Sequence, residues 1–516
     1  MTPGQVAGLA VLLTPIWIPA LLIAVRGVPA RPRLFLAAGI ALYAGAAAWI
    51  AVVRPAALLS LAVLVGIGWL WMAWRARPRA GRRRGRPPGS LGVRSSIRAL
   101  ADYRFYEKEA SRHGPVFKTS QYHRPVLCVV GLERCQRFLR EHGERLTSAP
   151  LPIDSYVEGG ILRYMPPERH ARYRRLLQSC LKPRVLAGRE EFIERLAATA
   201  FAGLAAEGAG RASGGARPYD AIDRFVFRSL AGVFFGIPPE DPALPELRRL
   251  YGVVDHRKLW RRRRRTRAGM AGLAALVLGR PRNGGGHLAE ASTAPSSFLD
   301  QALGSDPELA RDPVFVENLV YLFHIARCDL TGLCGWLVKM LGDHPEQGRR
   351  IREERGQGAG GAAGRFVDET LRLRQSEYLY RTTSAPIRFE GFSVPSGWLV
   401  RLCIRESHTS PEAFDLPLTF DPDRFHGGTP SSERYQPFGI YEHACLGIGI
   451  TKTIGRILVE CLAVGFDCEV TRDGPMELGL HHHRHWTPSR RLEMRFTPVG
   501  TRPAPEPAPS AAPSRA

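Results

Sequence analysis

The first 98 residues contain no lysine, no aspartate and no glutamate, and their only charges are 13 arginines. A segment without acids is not the surface of an ordinary soluble domain, where both signs are interspersed. The 516-residue chain has 72 Lys+Arg against 48 Asp+Glu, a net +24, so this front segment supplies +13 and the rest only +11. That uneven split weakens a nucleic-acid explanation of the charge. Cysteine is scarce, nine in all, too few for a disulfide-stapled secreted scaffold. No CxxC or Cys/His zinc spacing occurs, and there is no internal repeat.

What the front segment does hold is apolar. Uncharged runs cover Gln5–Val25, Leu34–Val53 and Ala56–Trp74, each near the twenty residues a helix needs to cross about 30 Å of hydrocarbon. The uncharged start Met1–Gln5 and the two following runs argue against a cleaved signal peptide. Residues 1–74 are therefore predicted as three transmembrane helices. Arg26, Arg31 and Arg33 fill the first loop, and nine arginines lie between Arg75 and Arg98. Arginine-rich flanks stay on the cytoplasmic side, so the reading is an integral membrane protein with its N-terminus outside and a cytoplasmic catalytic domain. Residues 75–99 form a basic juxtamembrane linker that anionic headgroups would attract; a plainly solvated linker is the alternative.

From residue 100 to 500 the composition is globular. Helical spacing of apolar residues recurs in Glu191–Leu204, Ala221–Phe235, Leu244–Val254, Val314–Leu341 and Thr451–Val464. Strand-like segments are shorter: Val116–Thr119, Val126–Val130, Ile387–Phe389, Trp398–Ile404 and Leu492–Phe496. The expected class is mainly α with small β-sheets (α+β). Residues 501–516, rich in Pro and Ala, read as a disordered tail.

One segment carries a chemical signal, Pro437-Phe438-Gly439-Ile440-Tyr441-Glu442-His443-Ala444-Cys445-Leu446-Gly447, followed by a long helical pattern. A cysteine just before a helix has its thiolate favoured by backbone N–H groups and the helix dipole. Phe438, His443, Cys445 and Gly447 in this order resemble the haem-binding loop of the cytochrome P-450 family. Glu369-Thr370-Leu371-Arg372 is similar to that family's Glu-x-x-Arg helix, and Phe420–Phe425 to the meander before the cysteine. Pro166–Arg175, holding His170 and Arg174, is similar to the His-x-x-x-Arg helix of bacterial members. The resemblance runs from about Asp102 to Val499.

It implies a haem-thiolate domain binding haem b (iron protoporphyrin IX), with Cys445 as the proximal ligand. His170, Arg174, Arg381 and His443 would hold the propionates, or for any one of them be a surface charge. Glu369 and Arg372 would form a structural ion pair with Arg424. Electrons would come from a ferredoxin or flavoprotein reductase. One oxygen atom of O2 would enter a lipophilic substrate reached from the membrane, as a hydroxylation or epoxidation; no nucleic acid is involved.

The distal stretch departs from the family. His324-Ile325-Ala326-Arg327-Cys328-Asp329-Leu330-Thr331 stands where Ala/Gly-Gly-x-Asp/Glu-Thr-Thr is usual. Asp329 keeps the acid, but leucine replaces the hydroxyl that helps deliver protons, leaving Thr331 as the substitute. Asp329 and Thr331 are the catalytic candidates, unless Asp329 merely pairs with a cation such as Arg327. Arg327 faces either the pocket, where it would want an anion, or the far side of the helix. Tyr441 stands where the family has Gly, at a cost of about 1–2 kcal/mol if φ is positive. The missing hydroxyl leaves two other readings open, a peroxide-using or rearranging enzyme and a haem-binding sensor without turnover. The arginine cluster in Lys258–Arg267 is expected to meet anionic lipid or solvent. His481–His485 reads as a surface loop rather than a metal tract, since no Cys or carboxylate is near in sequence.

Overall fold

The computed structural model describes residues 85–121, 124–148, 161–181, 186, 188–211, 214–254, 263–279, 297–358, 361–478 and 485–500. The three expected membrane helices, most of the arginine cluster, His481–His483 and the tail lie outside them. Among the described residues no helix is long and apolar enough to cross a membrane.

In chain order the elements are α1 (Val93–Ala101), α2 (Phe105–His113), β1 (Val116–Gln121), β2 (Arg124–Val130), α3 (Leu132–His142), β3 (Leu146–Ser148) and α4 (Pro167–Cys180). Then come α5 (Glu190–Ala209), α6 (Tyr219–Phe235), α7 (Ala243–Val254), α8 (Arg263–Leu278), α9 (Phe298–Ser305), α10 (Pro313–Asp343), α11 (Pro345–Gly356) and α12 (Ala362–Arg374). The last are β4 (Leu379–Thr383), β5 (Ile387–Phe389), β6 (Phe392–Val394), β7 (Leu399–Cys403), α13 (Ile404–His408), α14 (Ile448–Gly465), β8 (Phe466–Arg472) and β9 (Glu493–Pro498). The mainly helical class with small sheets is as expected.

The chain separates into two compact units, and Pro386–Leu399 belongs with the N-terminal one, which ends at Cys128. In that unit β1 lies beside β2, and Tyr106 of α2 donates to the Gln121 side chain at 2.8 Å. The β5–β6 hairpin turns on Glu390 and Gly391, both at positive φ (46° and 78°), as a tight two-residue hairpin requires.

The second unit is built round α10. Pro313 opens this helix and Asp312 caps it, its Oδ1 accepting from the N–H groups of Val314 (2.9 Å) and Phe315 (3.3 Å). Its 31 residues span about 46 Å at 1.5 Å per residue. It packs on α6, α8, α12, α14 and β8, and Phe315, Leu319, Phe323, Leu333, Leu337 and Leu341 are buried along it. β7, β4 and β3 lie side by side in that order, with Ser148 opposite Arg381 in the antiparallel β3–β4 pair. β8 and β9 form an antiparallel pair with an irregularity between Val470 and Arg472.

A polar clamp fastens the segment that leads to the cysteine. Glu369 and Arg372, one turn apart on α12 and fully buried, pair at 2.6 and 2.7 Å. Arg372 also donates to the carbonyls of His408 (2.9 Å), Pro417 (2.7 Å) and Thr419 (3.1 Å). Glu369 accepts from Asp421 N–H at 2.9 Å and stands 3.5 Å from Arg424 Nε. The expected three-residue ion pair is present, and its satisfied hydrogen bonds offset the desolvation of two buried charges.

Candidate active site

The loop before α14 is a tied turn that presents one sulfur. Cys445 N–H donates to the Phe438 carbonyl at 2.8 Å and Ala444 N–H to the Tyr441 carbonyl at 2.9 Å. Gly439 takes φ 90° and Tyr441 takes φ 53°, so the glycine does not spare the tyrosine its left-handed conformation. Arg140 Nη1 donates to the Tyr441 hydroxyl at 2.9 Å, which offsets part of that strain of about 1 kcal/mol.

Gly447 N–H donates to Cys445 Sγ at 3.3 Å. Burial pushes this thiol up to about 11, with the Gly447 N–H pulling it down, Asp329 and Glu377 pushing it up, and Arg174 lowering it. The side chain is nevertheless open to solvent. A sulfur both accessible and heavily desolvated faces an internal cleft rather than the outer surface. Phe438 and Leu446 of the loop and Leu322 and Ala326 of α10 are only partly buried where they pack on the core.

Beside the sulfur the structure gathers basic groups from separate elements. The His170 ring of α4 stacks on His443, centroids 4.6 Å apart. Burial brings His443 down to about 3, helped by Arg381, His170, Arg163 and Arg174. His170 is lowered by burial and then by Arg174 and Arg381, with Glu442 opposing. Burial also lowers Arg174, against the pull of Cys445 and Glu442. So the four expected groups come together, with Arg163 as an unanticipated fifth. The acid at hand, Glu442, stands 3.8 Å from His443 and is mostly exposed. Arginines set beside two imidazoles whose neutral, hydrogen-bonding form is favoured make a site for anions.

A sulfur in a cleft next to such a group fits an iron porphyrin with two carboxylate arms. When bound, haem supplies the O2-activating chemistry, and a cysteine thiolate pushes electron density onto its iron. Cys445 would ligate iron, and His170, Arg174, Arg381, His443 and Arg163 would hold the arms.

On α10, Arg327 does not point at this cleft. Its Nε and Nη2 grip the Asp223 carboxylate of α6 at 2.9 and 2.7 Å, and it lies 5.1 Å over the Phe227 ring. Arg248 shares Asp223 at 2.9 Å. Asp329, two residues on, lies about 200° round the helix, and its field reaches both Cys445 and His485. Leu330 is buried. Thr331 lies a further ~200° from Asp329, on the Arg327 side, and its buried hydroxyl has no hydrogen-bond partner among the described residues. The structure thus brings Asp329 to the cysteine side and leaves Thr331 off it.

The motif residues stand in one order and one place. A family model described as Cytochrome P450 matches residues 363–493, the stretch that holds the clamp, Arg381 and the cysteine loop. Over that stretch the chain is similar to the cytochrome P450 family. Over a longer span the chain is similar to ent-kaurenoic acid oxidase 1 of Hordeum vulgare, 24% identical over 84% of this chain and 94% of the relative. It is also similar to abscisic acid 8'-hydroxylase 2 of Oryza sativa subsp. indica, 26% identical over 74% of this chain and 81% of the relative. Among solved structures, the retinoic acid-bound cyanobacterial CYP120A1 shares the fold, with a TM-score of 0.65 and 21% identity over 80% of this chain and all of that one. The two sequence relatives are plant enzymes, so they do not carry the bacterial character expected from the His170–Arg174 helix. The two relatives are named for the oxidation of kaurenoic acid and the hydroxylation of abscisic acid.

Sequence reasoning missed Arg163, Glu377 and His485. His485 Nε2 lies 3.3 Å from Glu377 Oε2 and Nδ1 lies 3.4 Å from Ser376 Oγ. The carboxylate that the histidine run lacks in sequence is therefore supplied in space, 108 residues earlier, although no cluster of three or more metal-ligating groups occurs among the described residues. No local signal marks Glu377.

Proposed function

We propose that this protein is a cytochrome P450, a membrane-anchored haem b enzyme whose Cys445 thiolate ligates iron, taking electrons from a ferredoxin or flavoprotein reductase. It hydroxylates a lipophilic small molecule that enters from the bilayer. The reading is supported by one arrangement above all: an accessible, desolvated sulfur beside the His170–His443 stack with Arg174 and Arg381. Reaction by this route converts substrate C–H and O2 into C–OH and water, consuming two electrons from the partner and two protons.

The anchor is supported by the three uncharged runs in residues 1–74 and the arginine distribution around them, which favour a cytoplasmic catalytic domain and an N-terminus outside. For substrate, the similar proteins are named for kaurenoic, abscisic and retinoic acids, so an isoprenoid carboxylic acid is the class to try first. Asp329 delivers protons on the distal side. Thr331, the second candidate, would have to turn its hydroxyl off the Arg327 face to join it.

The test is the reduced, CO-bound spectrum of the detergent-purified chain beside Cys445→Ala. A thiolate-type Soret band in the parent chain, lost in the variant, is expected; the same spectrum in both would overturn the assignment. Turnover of a lipophilic panel with NADPH and redox partners then separates catalysis from ligand sensing. Leucine at 330 favours a second reading, use of peroxide; product from H2O2 but none with reductant would establish it.

A further inference from the structure

We propose that His485, set against the carboxylate of Glu377 on a segment bound to the distal helix, is the proton donor that stands in for the distal hydroxyl this chain lacks. The proposal rests on the monooxygenase reading and deepens it. α10 brings an acid to the cysteine side but no hydroxyl, since Leu330 follows Asp329 and Thr331 lies off that face. The relay needs another proton-bearing group, and the segment after the histidine run supplies one.

The placement of His485 is built rather than incidental. Both ring nitrogens are engaged, Nε2 with Glu377 at 3.3 Å and Nδ1 with Ser376 Oγ at 3.4 Å. Ser376 Oγ is itself fixed by the N–H of Trp486 at 2.9 Å. Trp336 of α10, about two turns beyond Asp329, donates from Nε1 to the Trp486 carbonyl at 2.7 Å, which ties this segment to the distal helix. The charged groups facing the ring are Glu377 and Asp329, which favour its cationic form, and Arg163, which opposes it; the net effect raises its affinity for protons above the usual value despite burial. Burial pushes the Glu377 carboxyl up, yet the hydrogen bond and charge of His485, with Arg163, hold it below its ordinary value. Each partner thus favours the charged form of the other, imidazolium against carboxylate.

An ion pair alone would explain Glu377 and His485 as a structural brace. But the segment that carries the ring also lies along the distal helix: Trp486 meets Trp336, and Thr487 and Pro488 close on Gly332 and Gly335, the turns just beyond Asp329. Each proton would pass from the imidazolium to the Asp329 carboxylate, which would deliver it into the cleft, and the neutral ring would regain a proton from solvent. Two such passes supply the two protons that accompany the two electrons from the redox partner.

The experiment uses the full haem-loaded chain, with His485→Gln, Glu377→Gln and Asp329→Asn, and retinoic, kaurenoic and abscisic acids as probes. Independently of turnover, NMR of the 15N-histidine protein in its diamagnetic reduced CO state reads the titration of each ring. The signal lost in His485→Gln should titrate above 6.5 in the parent and shift down by about one unit or more in Asp329→Asn. An unshifted midpoint overturns the proposal. In turnover, His485→Gln should lose about tenfold or more of product per electron consumed, releasing peroxide instead, while product formed from added H2O2 and probe affinity stay within twofold. Unchanged coupling, or an equal loss in the peroxide-driven reaction, overturns it, the latter pointing to a brace. A parent chain with no thiolate spectrum would instead overturn the monooxygenase reading.

Discussion

Removing the Glu369 carboxylate should be among the most damaging single changes in this protein. Glu369 and Arg372 are both fully buried. Glu369→Ala would leave the guanidinium with the carbonyls of His408, Pro417 and Thr419 but no counter-charge. It would also orphan the N–H of Asp421. Breaking one side of a buried pair costs about 3–5 kcal/mol, and the lost acceptor adds about 1 kcal/mol. The damage is local to the strap that leads into the cysteine loop, so haem retention should fall with stability. Urea unfolding followed by circular dichroism, with the thiolate Soret band read on the same samples, measures both. Glu369→Gln, which keeps size and one acceptor, should lose less than Glu369→Ala. A Glu369→Ala chain within 1 kcal/mol of the parent would refute the reasoning.

His408 is buried and accepts from Gln436 N–H at 2.9 Å, and burial with Arg372 and Arg405 brings it down to about 3. Its neutral form is favoured by folding, so the stability it contributes is full above pH 6.5 and is lost as pH falls toward 3. The slope is up to about 1.4 kcal/mol per pH unit, and His408→Gln should flatten the measured pH dependence by that much. Arg327→Leu should destabilise by about 1–3 kcal/mol through Asp223, left half-paired with Arg248, while probe affinity stays unchanged in spectral titration; a large affinity change would mean the arginine serves the cleft. Tyr441→Gly should relieve φ 53° and raise the unfolding midpoint slightly, by the equivalent of up to about 1 kcal/mol, provided the exposed bond to Arg140 is worth less; a fall in midpoint would show that bond dominates.

Much of the site was legible because its motifs are local. Phe438, His443, Cys445 and Gly447 lie within ten residues, and Glu369 with Arg372 within one turn, so spacing alone carried their resemblance. The long helices announced themselves by apolar period, as in α10, expected at Val314–Leu341 and found at Pro313–Asp343. α11 escaped because only Ile351 is buried on it, leaving no apolar period to read. β3 and β6 are too short to show alternation.

What the amino-acid order determined by itself was periodicity and the motif that singles out Cys445 as the candidate sulfur, both properties of neighbours along the chain. Only the tertiary structure decided which charges meet. Arg327 found Asp223 across 104 residues, and Glu377 found His485 across 108. Charge pairing depends on distance in space and on shared burial, and neither is written in the spacing of residues along a strand or helix. That is why the sequence offered Arg327 two faces and His485 no partner, and why folding settled both.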